Sequence, residues 1–128
     1  MKHEELTGKI LSAAFSVSNE LGHGFLEGIY ERALLMVLRQ AGLKAESQHP
    51  IKVRFRGVEI GEYVADILVE GIVIVELKAV KALLPEHQAQ VINYLKATGV
   101  EVGLLINFGT PKIEFKRLTW PQETGMDS

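Results

Sequence analysis

The sequence predicts a mixed α/β domain in which one sheet is flanked by helices on both faces. Apolar residues recur at helical spacing over the first forty residues, whereas apolar and basic residues alternate from Ile51 onward. A further helical stretch then separates three strand-like runs from two more, giving the order helix, helix, strand, strand, strand, helix, strand, strand.

From His3 to Leu21 the apolar positions Leu6, Ile10, Ala13, Ala14, Val17 and Leu21 form one stripe of a helix. Gly22 and Gly24 supply the backbone freedom to end it. The period resumes from Leu26 to Gln40 through Ile29, Ala33, Leu34, Val37 and Leu38, and Gly42 closes this second helix. Ile51, Val53 and Phe55 alternate with Lys52, Arg54 and Arg56 as a strand does, and Arg56-Gly57 marks a tight turn. Val58 to Val69 reads as a second strand, bent near Gly61, and Ile72 to Lys78 as a third, apolar on both faces until Glu76. Pro85 suits a first helical turn, and Ala89, Ile92 and Leu95 carry a third helix to Gly99. Val100 to Asn107 and Lys112 to Leu118 are the last strands. These elements define one domain over residues 1–120, and the stretch 121–128, with little to bury, is expected to be a flexible tail.

Composition narrows the chemistry. At 128 residues and 47% hydrophobic content the chain can bury one continuous core. A charged fraction of 23% and a mean hydropathy of +0.12 argue against disorder, and no apolar run could cross a bilayer, so no membrane partner is expected. The opening Lys2-His3-Glu4-Glu5 does not resemble a secretion signal, and a cytoplasmic location is the expectation. With no cysteine, disulfides, thiolate metal sites and cysteine nucleophiles are excluded, leaving carboxylates and four histidines as metal ligands. The net charge of -2 offers no global excess of cations for phosphates. Lys52, Arg54 and Arg56, with Lys112, Lys116 and Arg117, still leave room for a local basic rim, although such residues also suit the solvent side of half-buried strands.

Ions are rare in buried strands because an unpaired charge is costly to desolvate. Glu76 and Lys78 interrupt the run Ile72 to Leu77, and their i, i+2 spacing puts both on one face. Asp66 lies at comparable depth in the preceding strand, within Val64-Ala65-Asp66-Ile67-Leu68-Val69. Whether the two acids meet depends on the connection. A two-residue turn at Glu70-Gly71 would set Asp66 opposite Val75, whereas a three-residue connection, or a bulge with Gly71 left-handed, sets it across from Glu76. We expect the latter, because two carboxylates facing each other form a cup for a hard cation such as magnesium or manganese. Such an ion polarises a phosphoryl oxygen and acidifies bound water, while Lys78 would orient that water or stabilise phosphate charge. The bland alternative is a buried ion pair between Lys78 and one acid.

Glu27 falls in the first turn of the second helix, where it is a candidate third acid or simply a complement to the helix dipole; Tyr30 follows one turn on. His87, Gln90 and Tyr94 share a face of the third helix that would look across the Glu76 strand, or would form an ordinary polar flank.

Taken together, Gly24, Glu27 and Tyr30, the Asp66 strand, Val75-Glu76-Leu77-Lys78-Ala79, Gln90 to Tyr94 and Leu104-Leu105-Ile106-Asn107-Phe108-Gly109 resemble the GxxExxY family within the PD-(D/E)xK nuclease superfamily, over nearly the whole chain. The resemblance implies a restriction-endonuclease-like α-β-β-β-α-β core and a metal-dependent nuclease using Mg2+ or Mn2+. In that likeness Asp66 and Glu76 are metal ligands, Glu27 is an accessory ligand and Lys78 is the catalytic lysine. Gln90 and Tyr94 are similar to the QxxxY element of RecB-type nucleases, which lies beside the active site. A nucleic acid, DNA sooner than RNA, is the expected partner, and a homodimer would pool two basic rims. A domain of this fold that has lost catalysis and serves only as a binding module is the alternative.

Overall fold

A computed structural model describes residues 2–121, and the expected tail therefore lies, apart from Pro121, outside the described residues. The chain runs α1 (Glu4–Leu21), α2 (Glu27–Gln40), β1 (Ala45–Phe55), β2 (Val58–Val69), β3 (Val73–Lys78), α3 (Pro85–Thr98), β4 (Val102–Asn107) and β5 (Glu114–Thr119). The strands form one sheet in the order β1-β2-β3-β4-β5, with β3 and β4 parallel and every other neighbour pair antiparallel. The parallel pair is the one joined through α3, because two strands running the same way need a long connection between their ends. No helix among the described residues is long and apolar enough to cross a membrane.

The periodicities translate directly into layers. Ile10, Ala13, Ala14 and Val17 of α1 and Tyr30, Leu34 and Leu38 of α2 pack on Ile67, Val69, Val75, Leu77, Leu104 and Ile106 to form the larger core. Tyr94 and Leu95 of α3 pack on Ile51, Ala65 and Ile74 to form a smaller one on the opposite face. β3 and β4 are thus covered on both sides, which is why β4 is buried at all six positions and reads as a continuous apolar run. Gly103 lets α3 approach: a Cβ there would stand 2.6 Å from Val91 Cγ1.

The turn at Arg56-Gly57 is present, with both residues at positive φ (51° and 80°), as a two-residue hairpin of this twist requires. A register shift between Val53 and Arg54 places a bulge where β2 was expected to bend, across from Gly61. One boundary needs correction. β1 begins at Ala45, well before Ile51, because Glu46-Ser47-Gln48-His49-Pro50 breaks apolar alternation while Glu46, Ser47, His49 and Pro50 still pair with Leu68, Ile67, Ala65 and Val64. Gln48 lies at φ 55°, and it is here that the strand pair inverts: Ile67 points into the larger core and Ala65, two residues earlier, into the smaller. Asp66 sits at that inversion.

The chain after β3 is bound tightly to the end of β4. Asn107 is fully buried; its Oδ1 accepts from the amides of Val80 and Gly109, both at 3.0 Å, and its Nδ2 donates to the Val80 carbonyl at 2.9 Å and to Glu114 Oε1 at 3.1 Å. The Phe108 amide donates to the Lys78 carbonyl at 2.8 Å. Gly109 admits this approach, since a Cβ would lie 2.2 Å from the Val80 carbonyl oxygen and 2.4 Å from its nitrogen. Backbone on one side cannot yield to a methyl group on the other, so Gly109→Ala should lower stability by roughly 2–4 kcal/mol in denaturant titrations. Asn107→Ala should cost about the same by orphaning buried amides of Val80 and Gly109, and an unchanged denaturation midpoint would show the clasp to be incidental.

Candidate metal-dependent active site

The site is built where β2 and β3 stop pairing. Their ladder runs Val69↔Val73, Leu68↔Ile74 and Ile67↔Val75, so the next position in register sets Asp66 across from Glu76. The three residues Glu70, Gly71 and Ile72 connect the strands, with Glu70 at φ 55° and Gly71 at φ 68°. This is the odd connection that brings the acids to one side.

Past Val75 the carboxylates take over from the ladder. The Asp66 amide donates to Glu76 Oε1 at 3.1 Å, and the Leu77 amide donates to Asp66 Oδ2 at 2.8 Å. Each acid is thereby held by the backbone of the opposite strand. Glu76 is only 5% exposed, and Lys78 follows it at the half-buried end of β3. Among the described residues Lys78 forms no contact ion pair with either acid, which sets aside the bland reading of the ExK pattern as a neutralised buried pair.

The charges of Glu27, Asp66, Glu76 and Lys78 act on one another. Burial, and then the charge of Asp66, push the Glu76 carboxyl up to about 8, against the opposing pull of the Asp66 amide and Lys78. Burial likewise raises Asp66, with Glu31 adding to the rise and the Leu77 amide, Lys78 and Gln48 opposing it. Glu27 is raised by burial and then by Asp66 and Glu31, and Lys78 lowers it. Glu27 therefore reaches the Asp66-Glu76 pair from α2 through space, as its place in the first helical turn allows.

The accessory positions divide into two groups. Tyr94 is buried in the smaller core: burial, followed by the charges of Glu76 and Asp66, pushes its hydroxyl up to about 12. His87 and Gln90 line a surface cleft with Tyr94, and His87 Nδ1 accepts from the Leu84 amide at 3.0 Å at the start of α3. Tyr30, in contrast, lies in the larger core, stacked on Phe108 with ring centroids 4.7 Å apart. Its hydroxyl donates to the Gly22 carbonyl at 2.7 Å and accepts from the Phe25 amide at 3.2 Å. Tyr30 thus fastens the link between α1 and α2 that delivers Glu27.

Sequence reasoning did not single out Glu31, Gln48 or Asn107. Glu31 lies one turn beyond Glu27 on the same helix face, a spacing that was available to find it. Its carboxylate accepts from Gln48 Nε2 at 3.0 and 3.1 Å and from Ser47 Oγ at 3.1 Å, tying α2 to the inverted part of β1. Nothing periodic marks Gln48, whose importance arises from its left-handed backbone.

A model of the PD-(D/E)XK nuclease superfamily matches residues 4–118. The chain belongs to that superfamily. A similar solved structure of this PD-(D/E)XK protein's fold is the crystal structure of SSO0001, with a TM-score of 0.60 at 22% identity, covering 76% of this chain and 52% of that one. This chain spans about half the length of that protein, and the likeness is one of fold. A comparison with curated proteins finds no match.

The donor set suits a hard divalent cation. Among the described residues no three Asp, Glu, His or Cys side chains converge as a complete ligand cluster. Magnesium, however, is commonly held by one or two carboxylates together with waters and substrate phosphate oxygens. A buried Glu76 whose carboxyl is raised by the half-buried Asp66 across from it, with Glu27 within electrostatic reach of Asp66, fits that mode.

Proposed function

We propose that this PD-(D/E)XK domain is a metal-dependent nuclease that hydrolyses phosphodiester bonds, with Asp66 and Glu76 holding Mg2+ or Mn2+, Glu27 as accessory ligand and Lys78 as the catalytic lysine. The observation that carries this reading is the mutual hold of Asp66 and Glu76 across the open end of the β2–β3 ladder, with Lys78 on the same strand and unpaired to either. When bound, the cation supplies Lewis-acid activation of the phosphoryl group and acidifies water. The chain does the remainder. Backbone amides fix the acids before substrate arrives, so little reorganisation is needed. Lys78 brings an ammonium within electrostatic reach of them, able to orient the attacking water or to offset charge gathering on the phosphate oxygens. The burial that raises Glu76 also limits bulk water around the acids.

The narrower GxxExxY assignment is supported by the way Tyr30 ties down the Gly22–Phe25 link ahead of Glu27. DNA sooner than RNA is the proposed substrate, and a homodimer completes the proposal. Light scattering should then give about twice the 14.2 kDa of one chain.

The test is incubation of purified protein with single- and double-stranded DNA and RNA in Mg2+, Mn2+ or EDTA. Cleavage that needs the metal and is lost in Asp66→Ala supports the reading. Cleavage that survives Asp66→Ala would show a contaminant, and a complete lack of metal uptake by calorimetry would leave a binding module.

A further inference from the structure

A cleft runs between α3 and the outer half of the β1–β2 hairpin. One part, of about 450 Å³, is lined by Lys52, Arg54, Tyr63, Asn93 and Lys96. The adjoining part, of about 370 Å³, is lined by Glu86, His87, Gln90, Tyr94 and again Tyr63 and Asn93. The two parts share Tyr63 and Asn93. Together they extend from Lys52, Arg54 and Lys96 to Tyr94. Along β2, Tyr63 is three residues from Asp66, roughly 10 Å for an extended strand.

Tyr63 stands midway. Its ring lies against that of Tyr94 with centroids 5.7 Å apart and planes tilted by 44°, yet it remains 53% exposed while Tyr94 is 3% exposed. One side of the ring is therefore supported and much of the rest is open. The three cations are not committed to strong local pairs: Lys52 approaches Glu59 at 3.9 Å, with both side chains about half exposed, and Lys96 lies over the Trp120 ring at 4.5 Å.

A supported, open aromatic ring between a row of cations and a pair of acids suits an unpaired base, because a duplex keeps its base faces stacked inside. The net charge of -2 gives the chain no global excess of cations for phosphates, so stacking is an added source of affinity here. We propose that this cleft holds a single-stranded stretch of nucleic acid, one base stacked on Tyr63 and the phosphates met by Lys52, Arg54 and Lys96, so that the strand enters the acid site from the hairpin end. The proposal rests on the nuclease reading of that site and names the form of its substrate.

Fluorescence anisotropy in EDTA separates binding from cleavage. The full chain is titrated against oligo(dT), oligo(rU) and a blunt DNA duplex of equal length. At least one single strand should bind ten times or more tighter than the duplex, and the better of the two identifies the sugar. Tyr63→Ala should weaken single-strand binding by roughly 5- to 100-fold, with Tyr63→Phe within about twofold of wild type. Replacing Lys52, Arg54 and Lys96 together by Ala should lower the slope of log affinity against log salt by about 2. Duplex binding as tight as single-strand binding, or a Tyr63→Ala variant that melts like wild type and binds unchanged, overturns the cleft assignment. Metal-dependent cleavage that is absent while Tyr63-dependent binding persists overturns the nuclease reading instead.

Discussion

Lys78→Ala should slow metal-dependent cleavage by about 10²- to 10⁴-fold while leaving the cation in place, the loss typical of a positioned proton-transfer or charge-stabilising group. Lys78 lies at the half-buried end of β3 and opposes the raised pKa values of Glu27, Asp66 and Glu76 alike. Its removal should therefore move all three further up, so the residual activity should rise toward higher pH than in the wild type. Calorimetric Mg2+ or Mn2+ titrations, run beside pH–rate profiles, check both parts. A Lys78→Ala protein that cleaves within threefold of wild type would restrict the lysine to a structural role.

The second large effect concerns stability without metal. In the folded chain Glu76 ionises only near pH 8, against 4.5 for an ordinary glutamate. Between those values the folded state keeps a proton that the unfolded state gives up, so stability falls as pH rises. The contribution is fully present below pH 4.5 and is lost progressively up to about pH 8, on the order of 4 kcal/mol for this buried group. Asp66 and Glu27 shift in the same direction and add to the slope. Glu76→Gln should flatten it, making the metal-free variant more stable than wild type at pH 8 while impairing metal uptake. Added Mg2+ or Mn2+ should restore wild-type stability and do so most at high pH, because ligation requires the carboxylates to release their protons. Urea titrations from pH 4.5 to 8.5, with and without metal, give the comparison, and a wild-type profile that rises across this range would show the acids to be relieved already.

Much of this arrangement can be read from residue order, for reasons that differ between elements. α1 and α2 are legible because each buries one stripe, and β4 because burial on both faces leaves an unbroken apolar run. The pairing of Asp66 with Glu76 follows from counting residues through the Glu70-Gly71-Ile72 connection once a left-handed Gly71 is allowed. The first half of β1 is harder, since its pairing is made by backbone while its side chains follow no alternation. The inversion at Gln48 and the clasp of Asn107 are harder still. Each depends on what the chain meets in space, and Asn107 resembles any polar residue at the end of a strand until Val80 and Gly109 are seen on either side of it.

The crossed amide bonds at the mouth of the sheet couple two groups that a list of ligands would treat as independent. Because Asp66 leans on the backbone beside Glu76, and Glu76 on the backbone of Asp66, the gap between the two acids is fixed by the distance between strands rather than by rotamer choice. Shortening one side chain by a single methylene, as in Glu76→Asp, would release the Asp66 amide as well as retract an oxygen. The spacing of the two proposed ligands is thus a property of the main chain, and fitting them to a larger ion would require moving a strand.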